Sequence, residues 1–160
     1  MFPEAPTYST PPIYLLSVIA IIYVSPTTLR QIDSKKIIAY SSVAHMAFVT
    51  LGVFTPNLQA LEGSILLMSS HGLVSSAPSM CVGIPYDRHK TRIVKYYSGS
   101  SQVMPLLLTV SFVSTLANLS FPTTSGSIGE FLVLAGLFQT NKFITFLAST
   151  GMVLGAAYSI

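Results

Sequence analysis

SILLMSSHGLVSSAPSMCVG, residues 64–83, decides the fold: it is apolar enough for a membrane, about as long as the roughly twenty residues a bilayer span requires, and carries a histidine at its middle. On a helix, steps of three and four residues place Ser64, Met68, His71, Ser75 and Ser79 on one stripe, and Leu66, Leu73 and Val74 elsewhere. That pattern predicts a polar seam turned toward other protein. An imidazole in hydrocarbon is tolerated chiefly where it faces protein or a water-filled cavity, which points to an ion or proton pathway. The simpler alternative is that His71 bonds a serine or carbonyl of the next helix and serves as inter-helix glue.

The rest of the chain agrees with a membrane setting. Of 160 residues, 51% are hydrophobic and only 8% charged, against the quarter or so typical of soluble domains, and mean hydropathy is +0.65. The net charge of +3 is concentrated between apolar segments, which suits topology control and offers no broad surface for phosphates, so nucleic-acid binding is not expected. Cys81 is the single cysteine, which rules out an intrachain disulfide and any thiolate ligand set for zinc or an iron–sulfur cluster. The opening MFPEAPTYSTPP lacks the basic-then-apolar pattern of a signal or transit peptide. Residues 1–12, with their prolines, read as an irregular lead-in.

Spans are expected at Ile13–Leu29, Ile37–Phe54, Ser64–Gly83 and Val103–Leu119. The stretch FPTTSGS that follows reads as a turn or unwound segment. Ile128–Phe138 is only about half a bilayer long and stands next to the full-length apolar run Phe143–Ile160, a juxtaposition that predicts a discontinuous helix. The loops after the first and third spans hold Arg30, Lys35, Lys36 and Arg88, Lys90, Arg92, Lys95, whereas those after the second and fourth hold no basic residue, so both basic loops share one face. By the positive-inside rule that face is the cytoplasm-equivalent side.

Four ionisable residues are candidates for chemistry. Glu130 is the only acid inside an apolar block; Ser127 to Glu130 spells the S-x-x-E of a capping box, and the same carboxyl among Phe121, Ile128, Phe131 and Leu132 could instead carry protons. His45, with Ser41 and Ser42 at helical spacing, repeats the theme of His71. Lysines at the ends of spans, such as Lys35, ordinarily snorkel to the headgroups. The glycines form neither G-x-G-x-x-G nor a Walker loop, and the histidines fit no metal-binding spacing. On its residues alone the chain is an all-α polytopic membrane protein with intramembrane ionisable groups that conduct or couple an ion.

Four motifs in order, TLRQIDSKKIIAYSSVAHM (28–46), SILLMSSHGLVSS (64–76), YDRHKTR (86–92) and SGSIGEFLVLAGLFQ (125–139), resemble the antiporter-like membrane subunits of mitochondrial NADH:ubiquinone oxidoreductase, respiratory complex I, most closely the plant form. The resemblance covers nearly all of this chain and a carboxyl-side part of such a subunit. It implies an all-α transmembrane bundle over residues 13–160, built on inverted repeats each containing a broken helix, and residence in the mitochondrial inner membrane. It implies other membrane-arm subunits as partners, no cofactor held by this chain, and NADH and ubiquinone reacting on other subunits. Glu130 falls on the family's GE motif, taken as the terminal proton-exchanging acid, and His71 on the histidine of SHG in the central hydrophilic axis. His45 falls on the histidine of SVAHM and Lys35 on the lysine of Q-x-D-x-K, with polar-axis or supporting roles. The alternatives are a stand-alone cation/proton antiporter subunit and a non-functional gene fragment. Ser34, Ser69, Pro78, Ser79, Pro85 and Ser127 stand where the resembled family favours leucine or phenylalanine, and each difference is one T-to-C change in a codon. That pattern predicts a plant mitochondrial reading frame translated before cytidine-to-uridine editing.

Overall fold

The computed structural model describes residues 5–97 and 99–159, and its framework is entirely helical. The helices α1 (Ala5–Leu29), α2 (Ser34–Val53) and α3 (Leu58–His89) are each long and apolar enough to cross a membrane. After a 3-10 turn at Val94–Tyr97 and the single turn α4 (Ser100–Val103) come the shorter α5 (Pro105–Asn118), α6 (Ser125–Thr140) and α7 (Lys142–Ser159).

Two expectations about boundaries are corrected. The lead-in is helical from Ala5, with Pro11 and Pro12 inside α1; an internal proline removes a backbone bond but a helix in apolar surroundings survives it. Met1–Glu4 of that segment and Ile160 of the last expected span lie outside the described residues. The third span begins earlier, at Leu58, because Asn57 caps it by accepting from the Gln59 amide at 3.1 Å, and it runs for 32 residues. At 1.5 Å per residue α3 is about 48 Å long and overshoots a hydrocarbon core of about 30 Å.

The discontinuity lies elsewhere than the sequence suggests. Gly136 meets Ala60, Gly63 meets Val133 and Gly129 meets Leu67. Farther along, Gly126 and His71 line one cavity, Val110 and Val113 line a groove with Ala77, and Leu107 and Leu108 line another with Cys81 and Val82. Residue numbers rise through α5 and α6 as they fall along α3, so these two helices are halves of one span laid antiparallel to α3. Their 14 and 16 residues make about 21 and 24 Å, each short of a bilayer. The break between them is Leu119–Thr124, where Ser120 and Thr123 take positive φ (54° and 98°). Of the two readings of FPTTSGS, the unwound segment is the one found: its FPTT lies in the break inside a span, and its SGS opens α6. Asn141, extended at φ −142° and ψ 96°, marks the true reversal, since Glu130 and Met152, equally far from it in sequence, line the same cavity. With the short segment joined to the helix before it, the joined pair and the apolar α7 stand beside the three helices long enough to cross a membrane.

The core gathers Tyr14 and Ile21 of α1, Phe48 and Leu51 of α2, Leu67 of α3 and Val133 and Leu137 of α6. The seam of α3 is set by fit to α6, not by polarity. A Cβ built on Gly136 would stand 2.6 Å from Ala60 Cβ, and one on Gly63 2.7 Å from Leu132 Cβ, so only glycine permits the approach. Ala60, Gly63, Ser64, Leu67, Ser70, His71 and Pro78 are the buried positions, which leaves Met68 and Ser79 of the expected polar stripe facing outward. At the opposite end of the bundle the two basic loops join: the Ser34 amide donates to the Arg92 carbonyl at 3.1 Å and the Val94 amide to the Ile32 carbonyl at 3.2 Å, around an Asp33–Ile93 bridge. They share a face, as their charge predicted.

Candidate functional site

The break in the α5–α6 span lies against His71, at the level where α2 presents His45. Here the apolar spans place three ionisable side chains together. His45 Nδ1 stands 2.9 Å from Glu130 Oε1, and the side chains are 12% and 4% exposed. The same carboxylate oxygen accepts from Ser120 Oγ at 2.7 Å. The His45 and His71 rings are 5.3 Å apart between centroids, tilted by 38°. His71, Ser70, His45, Asn118 and Ser120 line one small cavity; Glu130, His45 and Asn118 line a second with Phe48, Leu119 and Met152.

Each member is held by a local feature. Glu130 follows Gly129, whose missing side chain lets α6 close on the Leu67 backbone and drives the carboxyl into the bundle. Ser120 reaches back across the break: its left-handed φ folds it over Gly126, where an added Cβ would meet its hydroxyl at 3.3 Å. A serine in that conformation is strained relative to glycine, and such strain persists where the surroundings fix it. Asn118 closes α5, with its amide 3.5 Å from Ser41 Oγ on α2.

The capping box does not form. The helix starts at Ser125 after Thr124, the Ser127 hydroxyl bonds the Thr124 carbonyl at 2.8 Å, and the Glu130 carboxylate turns to His45 and Ser120. Among the described residues the simple-glue alternative for His71 gains no serine or carbonyl hydrogen bond; the ring it faces is that of His45. A carboxylate and an imidazole within hydrogen-bond reach, desolvated together, can pass a proton between Oε1 and Nδ1.

Glu130, His71 and His45 are therefore brought together. Lys35 is not: it is exposed near the start of α2, its ammonium 5.0 Å from the centroid of the Tyr86 ring, which the Arg92 guanidinium shares at 4.8 Å. Sequence reading missed Ser120 and Asn118. The one available signal was that Asn118 is the only amide in the expected span 103–119.

The chain matches the model of a family described as NADH:quinone oxidoreductase/Mrp antiporter, TM, over residues 2–155. It is 66% identical over its whole length to NADH-ubiquinone oxidoreductase chain 4 of Marchantia polymorpha and 64% identical to that of Arabidopsis thaliana, covering 32% of each. It is 45% identical to NADH-quinone oxidoreductase subunit M of Rhodobacter capsulatus, of which it covers 31%. Among solved structures it superposes on a chain of respiratory complex I from Thermus thermophilus with bound NADH, at a TM-score of 0.92 and 27% identity, over 98% of this chain and 34% of that one. The chain thus spans about a third of the length of the curated relatives it matches. The resemblance carried by the four motifs is borne out, and with residues 2–155 matched the chain belongs to the transmembrane family of NADH:quinone oxidoreductases and Mrp antiporters.

Proposed function

We propose that this chain forms part of a proton-translocating membrane-arm subunit of respiratory NADH:ubiquinone oxidoreductase, in the mitochondrial inner membrane and in contact with other membrane-arm subunits. The observation that carries the reading is the buried His45–Glu130 pair beside His71 at the break of a span. Unwound backbone at membrane depth is tolerated where it lines a protein cavity, and intramembrane acids and histidines mark proton relays. NADH oxidation and quinone reduction take place on other subunits, and this chain couples to them by moving protons along His71, His45 and Glu130. Lys35, at the rim of the bundle, anchors the basic face through Tyr86 and stands outside this route.

Glu130→Gln tests the assignment, because the amide keeps the shape and a hydrogen-bonding oxygen but carries no proton to exchange. In vesicles holding the assembled complex, NADH oxidation should continue while the proton-to-electron ratio falls by this subunit's share. An unchanged ratio would overturn the proposal.

A further inference from the structure

Two buried polar atoms beside the pair have no hydrogen-bond partner among the described residues: His45 Nε2 and Asn118 Oδ1. Buried acceptors and donors of this kind are satisfied by protein or by bound water in nearly every folded protein. Neither residue is free to turn elsewhere at no cost, since His45 is committed through Nδ1 to Glu130 and Asn118 through Nδ2 to Ser41. Both side chains line the same two cavities, about 60 Å³ on the Glu130 side and about 10 Å³ on the His71 side. A water needs roughly 10–15 Å³ and two or more polar partners, so the larger cavity meets both conditions.

We infer that Asn118 and His45 together hold a water in the larger cavity, and that Asn118 is a positioning residue for proton transfer to and from Glu130. This rests on the proton-conducting reading above. With Glu130 ionised, His45 donates Nδ1–H to Oε1 and turns the Nε2 lone pair to the water, which donates one hydrogen there and the other to Asn118 Oδ1. When that water carries an extra proton, an N–H bond forms at Nε2 as the one at Nδ1 breaks, and the proton leaving Nδ1 neutralises the carboxylate. The imidazole ends neutral, as its other tautomer, and must exchange tautomers before the next proton; the reverse sequence returns a proton from Glu130 to the water. Asn118 takes no part in bond making. Its carbonyl fixes where the water sits, and as the last residue of α5 it owes that place to the break.

The experiment uses the assembled complex with its full-length subunit. In a map that resolves waters, ordered density should lie within hydrogen-bond distance of both His45 Nε2 and Asn118 Oδ1, and it should vanish in Asn118→Leu, which has similar size and no acceptor. In vesicles, Asn118→Leu should keep NADH oxidation but lower the proton-to-electron ratio as far as Glu130→Gln does. Asn118→Ser, which restores an acceptor oxygen, should recover at least half of the loss, a rescue that a purely structural role would not require. Absence of the density in the unaltered complex, or full stoichiometry in Asn118→Leu, overturns the inference. Should Asn118→Leu fail to assemble, the map of the unaltered complex decides alone. A lowered ratio in Glu130→Gln with a normal one in Asn118→Leu would leave the proton-conducting reading standing and remove only the role of Asn118; normal ratios in both would remove the two together.

Discussion

Along α3 the same antiparallel span is packed in two different ways. From Ala60 to Leu67 it meets α6 through glycines at backbone distance, with Val133 and Leu137 wholly buried. From Leu73 to Val82 it meets α5 across open apolar grooves of about 490 and 260 Å³, and Ser114 is the one buried residue of that half-helix. The ionisable cluster lies at the junction. A membrane supplies no hydrophobic force between apolar helices, so close steric fit has to hold them; the tight half fixes Glu130, and the loose half delivers Asn118.

The largest effect is expected from breaking the tight half. Gly136→Val places a branched side chain against the Ala60 backbone, and overpacking of that kind costs about 1–3 kcal/mol or more. Little assembled complex should appear on native gels, whereas Val113→Ala, exposed in the open groove of the loose half, should leave the yield near normal. Equal yields would show that the halves do not differ in what they hold.

Next in size is the junction. His45→Leu removes the partner of Glu130, and His71→Leu removes the neighbouring ring. Each should slow proton transfer through this subunit by at least about a hundredfold, the lower range for a positioned acid or base, with NADH oxidation coupled to fewer protons. Loss in His45→Leu alone would confine the relay to the direct Glu130 contact.

Smaller effects belong to the ends and the loose half. Lys35→Met gives up a cation–π contact worth about 0.5–1 kcal/mol at an exposed site and should leave the proton-to-electron ratio unaltered; a lowered ratio would bring Lys35 back into the route. The prolines of α3, Pro78 and Pro85, both line the 260 Å³ groove, and Ser69 and Ser79 face outward with hydroxyls turned back to their own helix carbonyls. Leucine at these positions would fill the groove and suit a lipid-facing surface, as a transcript edited from C to U predicts. Sequencing cDNA across the codons for Ser34, Ser69, Pro78, Pro85 and Ser127 should return leucine or phenylalanine; unaltered serine and proline codons would refute it. Ser69→Leu itself should change stability by no more than a surface substitution does, within about 0.5 kcal/mol, as read from denaturation of the complex.

The sequence revealed what depends on composition along the chain. The first three spans follow from apolar length, and Glu130, His45 and His71 announce themselves as ionisable groups where water is scarce. What it concealed depends on pairing between distant residues. His45 and Glu130 are separated by 85 positions, and no local pattern joins them. The break was visible as FPTTSGS and left open between a turn and an unwound segment, because two half-helices and two whole short spans look alike until their register against α3 is known. The polar stripe of α3 misplaced Met68 and Ser79 because glycine and alanine on α6 and α3, not serine, choose the face that is buried.

Mechanically, the α5–α6 span is a two-link arm bolted along one link to a rigid rail. Ser120 sits in the joint and Glu130 on the bolted link, so the 2.7 Å bond between them works as a strain gauge. A tilt of α5 of a few degrees about Leu119–Thr124 would lengthen that bond before it disturbed anything in the glycine-packed half, and the carboxylate would register the movement by losing a donor.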